Sequence, residues 1–178
     1  MGKSQIFRQA REEVRAGQDR RKVFETYQSQ ISRPVQLAMV IATVPEPSRK
    51  EAHLLANSAL VVLLVVAALT KLLSVFVLFP QFGPVPLIGM ALIGIAMPVL
   101  CAVEVARFNG QIYMILPIFC VAALMQVLIH ELNSPLGLII DGSLILGIGG
   151  LSLWIKAKVF PNIGLGGVKK DASGGFVF

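Results

Sequence analysis

The sequence predicts an all-α integral membrane protein: four transmembrane helices with a small N-terminal cytoplasmic helical module. Three observations carry this prediction. Four apolar segments follow one another between Asn57 and Ile155, turn-forming residues separate them, and Lys and Arg occur in only some of the connecting segments. With 55% hydrophobic and 15% charged residues, the chain has fewer charges than a soluble domain, where about a quarter of residues are charged. A soluble four-helix bundle would also need a polar stripe on the outer face of each helix. Leu60 to Leu69 and Leu87 to Ala102 have none.

Residues 1–47 read as a cytoplasmic helical module. Ile6, Phe7, Ala10 and Val14 recur at helical spacing, and Gly17 is placed to end that helix. Asp19 is a cap for a second helix bearing Val23, Phe24 and Tyr27, and Ser32 with Pro34 marks the start of a third, Pro34 to Thr43. Pro45-Glu46-Pro47 stops it. About 45 residues without a disulfide or metal bury too little surface to be stable alone. The apolar face of the module is therefore expected to be covered by the membrane surface, a second copy or a protein partner. Nucleic acid is not expected as a partner, because Glu12, Glu13, Asp19 and Glu25 interleave with the basic residues and weaken the field that a phosphate backbone needs.

The transmembrane domain is expected over residues 48–156, with spans at about 57–79, 85–103, 112–129 and 136–155; each is near the ~20 apolar residues needed to cross a bilayer. Ser48-Arg49-Lys50-Glu51 has capping-box spacing and is the expected helix start. Ten basic residues precede the first span, Arg107 lies between spans two and three, and Lys156, Lys158, Lys169 and Lys170 follow span four. The loops around Gln81 and Asn133 contain neither Lys nor Arg. The positive-inside rule then puts both termini in the cytoplasm, as an even number of spans requires. The expected location is the cell inner membrane, taken as a bacterial plasma membrane.

Lys71 and Asp141 interrupt the apolar spans. Lys71 lies about eight residues, or roughly 12 Å, from the outer end of span one, and Asp141 about five residues, or roughly 8 Å, from that of span four. Their depths are comparable and their signs opposite. An isolated charge in hydrocarbon costs about 2.5–3.5 kcal/mol on insertion scales, so the two are expected to face the bundle interior and pair. Gln126, with His130 and Glu131 at the outer boundary, completes a candidate polar path or interhelix contact. Gly89, Gly94, Gly142, Ser143 and Gly147 are candidate helix-packing positions; Ser143 and Gly147 have small-xxx-small spacing. Pro98 and Pro117 are expected to kink their helices. Trp154 belongs at the inner interface. The tail, 157–178, is glycine-rich and expected to be flexible.

Catalytic motifs do not emerge. The chain has no G-x-x-x-x-G-K-[ST] loop and no G-x-S-x-G elbow. His53 and His130 fall on opposite sides of the membrane, and Cys101 and Cys120 read as buried apolar residues, so neither a metal nor another cofactor is expected. The expected function is that of a non-enzymatic multi-pass membrane protein: a scaffold, assembly or partner-recruiting subunit acting through residues 1–47, as a homo- or hetero-oligomer. The alternative is a small oligomeric transporter or channel with a path lined by Lys71, Asp141 and Gln126.

Overall fold

A computed structural model describes residues 2–82, 84–130, 135–164, 167–172 and 174–178, with side chains described except at 75–82, 84–93, 130 and 135. Helices dominate. In order they are α1 (Lys3–Arg15), α2 (Arg20–Gln28), α3 (Pro34–Ala42), α4 (Pro47–Ala52), α5 (Leu54–Phe82), α6 (Pro84–Ala106), α7 (Ile112–His130) and α8 (Pro135–Val159). Strands β1 (Ile163–Gly164) and β2 (Gly167–Val168) pair antiparallel, Ile163 opposite Val168.

Three helical stretches are long and apolar enough to cross a membrane: Leu54–Ser74, Ile112–Ile129 and Leu136–Val159. In α6 the described apolar part, Gly94–Ala106, is shorter. These helices expose large apolar side chains such as Leu73, Leu100, Val121 and Leu146, as lipid-facing surfaces do. α5 packs along both α6 and α8, and α7 packs along α8. α6 and α7 continue through Pro98 and Pro117.

α1 forms because Ile6, Ala10 and Val14 stand on one face, and all three are buried. Gly17 follows with φ +89°, a left-handed conformation that glycine adopts without a Cβ clash. Asp19 then caps α2 by accepting from the Lys22 N–H at 3.0 Å. α1, α2 and α3 pack on one another. Tyr27 Oη donates to Glu13 Oε1 at 2.6 Å, tying α2 to α1. This bond, ahead of partial burial, raises the tyrosine pKa from its ordinary 10.0.

The apolar face of these first helices is covered by the rest of the chain. Ile6, Ala10, Val23, Leu37 and Ile41 belong to one continuous buried cluster with Leu60, Val105, Tyr113, Ile155, Phe160 and Ile163. Neither a membrane surface nor a second copy is needed to bury the α1 stripe. The length of residues 1–47 sets how much surface they hide alone; it says nothing of the ends of α5 to α8 standing beside them.

One local expectation is corrected. The helix begins at Pro47, not Ser48, with Glu46 as its N-cap. Proline's fixed φ suits the first helical position, and the Glu46 carboxylate is held by Arg49 at 2.8 Å. The chain then breaks at His53 before α5 starts. The described residues of the tail lie against the N-terminal helices. β2 lies on α3, Lys170 bridges Phe176, and the rings of Phe176 and Phe178 sit 5.3 and 5.4 Å from that of Phe24 on α2.

Candidate functional site

Two polar arrangements stand out among the described residues: an ion pair within the long apolar helices, and a junction where α5, α6 and α7 meet the N-terminal helices.

Lys71 Nζ lies 2.8 Å from Asp141 Oδ2, joining α5 to α8. The lysine side chain is 44% exposed and the aspartate 16%. A Cβ at Gly94 would stand 3.8 Å from Lys71 Cβ, so α6 passes beside the lysine stem. The stem therefore runs past α6 while the ammonium turns to α8, and one side chain contacts both neighbours of α5. Neutralising each other, the two charges lower the cost of placing either among apolar helices. No third charged side chain joins them among the described residues.

Among the described residues, Gly94 is the other sequence-selected position that adjoins this pair. Gln126 is exposed on α7, and no hydrogen bond from it occurs among the described residues. The His130 side chain, Glu131 and the surroundings of Gly89 lie outside the described residues. On α8, Ser143 and Gly147 are exposed; a Cβ at Gly147 would meet only Leu63 Cδ1, at 3.9 Å, and one at Gly142 would meet nothing within 4 Å. Of the four glycines Gly142, Gly147, Gly149 and Gly150, the tightest is Gly149, where a Cβ would stand 3.3 Å from Cys120 Cβ. Glycines occur on several faces of α8, so spacing alone does not say which face meets a neighbour. Cys101 and Cys120 are both free.

The junction was not singled out by sequence. Asn57, 3% exposed, donates through Nδ2 to the Val105 carbonyl at 2.9 Å. Tyr113 Oη donates to Asn57 Oδ1 and lies 3.2 Å from the same Val105 carbonyl. One amide, one hydroxyl and one backbone carbonyl thus join α5, α6 and α7. A buried polar group costs free energy unless paired, and here each is. Asn57 does mark the start of the first apolar span, but its side chain alone does not reveal a partner 56 residues away.

Beside this network the α6–α7 turn presses on the end of α3. Gly110 N–H donates to the Thr43 carbonyl at 3.3 Å, and Phe108 turns with φ +53° to bury its ring. Arg20 on α2 closes the other side: Nη2 donates to the Val44 carbonyl at 2.7 Å, and Nη1 lies 3.8 Å from Glu46. Burial lowers the Arg20 pKa from its ordinary value, against the opposing pull of Glu46, and the guanidinium keeps its proton at neutral pH. The His53 ring lies tilted beside that of Trp154, centroids 5.3 Å apart, and its Nδ1 faces the Arg49 carbonyl at 2.9 Å.

Neither arrangement offers a nucleophile with an adjacent base. No group of three or more His, Cys, Asp or Glu that could hold a metal occurs among the described residues. No family model matches the chain, and neither does any curated protein or solved structure.

Proposed function

We propose that this chain is a non-enzymatic, multi-pass membrane protein in which α6 is a fourth span and both termini lie in the cytoplasm, as positive-inside charge placement demands. Its role is that of a scaffold or partner-recruiting subunit in a bacterial inner membrane. The single observation that carries this reading is the continuous core joining α1, α2 and α3 to the ends of the long apolar helices. That core holds a charged surface, with Arg8, Arg11, Arg21, Lys22 and Glu25 exposed, at one end of the long helices. Because the α1 stripe is already buried, what the N-terminal helices offer a partner is charge and shape.

The test is affinity capture of the full-length protein from mild detergent, compared with a variant whose exposed charges on α2 are reversed (R21E/K22E). A stoichiometric partner, or a second copy, that is retained by wild type and lost from the variant supports recruitment. Recovery of a lone monomer in both overturns it. Deleting residues 1–47 is the wrong comparison, since it strips Leu60, Val105 and Tyr113 of their cover.

The transport alternative has one observation in its favour, the Lys71–Asp141 pair among apolar helices. It predicts flux in reconstituted vesicles that is abolished in K71M/D141N at normal expression. The exposed position of Gln126 argues against a path lined by all three residues.

A further inference from the structure

A cleft of about 300 Å³ lies between α1 and the α6–α7 turn, lined by Arg11, Arg15, Thr43, Glu104, Arg107 and Asn109. The geometry points to this cleft as a binding site for the phosphate of an anionic glycerophospholipid drawn from the adjoining leaflet.

The acidic residues of α1 and of the cleft wall are already engaged. On α1, Glu12 is paired with Arg8 and Glu13 accepts from Tyr27. Glu104, in the cleft wall, is held by Asn109 Nδ2 at 2.6 Å and Arg107 Nη1 at 3.3 Å. Arg11 and Arg15 have no partner among the described residues. They stand four apart on one helix, where like charges repel, and both face the same cleft. An anion between them removes that repulsion, and guanidinium groups bind phosphate through two parallel N–H donors.

The position selects a lipid. Arg107 follows Val103 by one helical turn, its N–H donating to the Val103 carbonyl. Val103 and Leu100, on the same side of α6, are 42% and 60% exposed. A phospholipid with its acyl chains along Leu100 and Val103 places its phosphate at the level of the cleft. The inference rests on the reading that this end of the bundle faces the anionic cytoplasmic leaflet. Binding in detergent does not depend on insertion direction, so the site and the topology fail separately.

The test uses full-length protein purified in mild detergent, titrated with dihexanoyl phosphatidylglycerol, dihexanoyl phosphatidylcholine and inorganic phosphate, with bound ligand read by native mass spectrometry. Phosphatidylglycerol is expected to bind preferentially. R11Q/R15Q is expected to weaken it about 25-fold, about fivefold per arginine, while R8Q, whose arginine is already paired, leaves it unchanged. Both altered arginines of the double variant are exposed, so it is expected to match wild type in thermal stability without ligand. Equal binding of phosphatidylcholine, or an equal loss in R8Q, overturns the site. Inorganic phosphate binding as tightly as phosphatidylglycerol overturns the lipid assignment, because the exposed α6 face then contributes nothing.

Discussion

Gly110 lies so close to Thr43 that a Cβ added there would stand 2.9 Å from Thr43 Cα and 3.0 Å from its carbonyl oxygen. The neighbouring atoms are largely backbone, at the end of α3, and have little room to move aside. Gly110→Ala is therefore expected to lower stability by about 1–3 kcal/mol, the usual range for overpacking, and to loosen the N-terminal helices from the α6–α7 turn. Gly94→Ala is the matched comparison. Its Cβ would meet Lys71 at an ordinary 3.8 Å, and alanine favours helix by about 0.5–1 kcal/mol over glycine. Thermal unfolding in one detergent should rank G94A at or above wild type and G110A below it; the reverse order would show that the close approach is absent.

Asn57 and Tyr113 form a second testable tie. Tyr113→Phe removes a hydroxyl and leaves Asn57 Oδ1 without its donor, while Asn57→Ala leaves the Val105 carbonyl without the amide. Each is expected to cost about 1–3 kcal/mol, as for a buried group left unpaired. Because both act on one network, the double variant should lose clearly less than the sum of the two. Strict additivity in a double-mutant cycle would mean that the residues do not interact.

For the ion pair, the order of single substitutions is informative. Asp141 is the less exposed partner and has a short side chain, whereas a lysine left alone can extend its stem toward an interface. Lys71→Met is therefore expected to reduce expression and stability more than Asp141→Asn. Replacing both should recover much of the loss, since no isolated charge remains in the apolar region. If K71M alone behaves like wild type, the pair plays no part in assembling α5 with α8.

The Tyr27–Glu13 bond gives a pH dependence of known sign. The folded-state pKa of Tyr27 lies above the ordinary 10.0, so the folded chain holds the phenolic proton more tightly than the unfolded chain does. The resulting stability is fully present below pH 10 and is lost as pH rises through the folded-state value. The difference in melting temperature between wild type and Y27F should thus stay constant from neutral pH to about pH 9 and shrink above pH 10. A difference that grows with alkalinity would contradict the assignment.

The tail can be released without touching the long helices. Replacing Phe176 and Phe178 by Ser removes both rings packed near Phe24 and the ring beneath Lys170 Nζ. Limited trypsin digestion should then cut faster at Lys169 and Lys170 than in wild type, with the α5 to α8 fragment intact. Unchanged cleavage would mean that the aromatic contacts do not hold the tail.

Some of this architecture is legible in the chain alone, because it depends on local chemistry. Length and hydropathy identify the long helices, and the spacing of Ile6, Ala10 and Val14 picks out residues that are buried. Asp19 caps α2 for reasons contained within four residues. Lys71 and Asp141, 70 positions apart, are comparable in sequence only because charges are rare in the spans, which leaves depth and sign as a usable signal. What the tertiary structure decided is which face meets which neighbour. A helix apolar on all sides carries no periodic signal of its rotation, so it is the packed structure that puts Gly149 closer to its neighbour than Gly147 on α8 and leaves Gln126 exposed on α7. The Asn57–Val105–Tyr113 network, the Gly110–Thr43 contact and the folded tail all join segments far apart in sequence. Each depends on surfaces that exist only after the helices have packed.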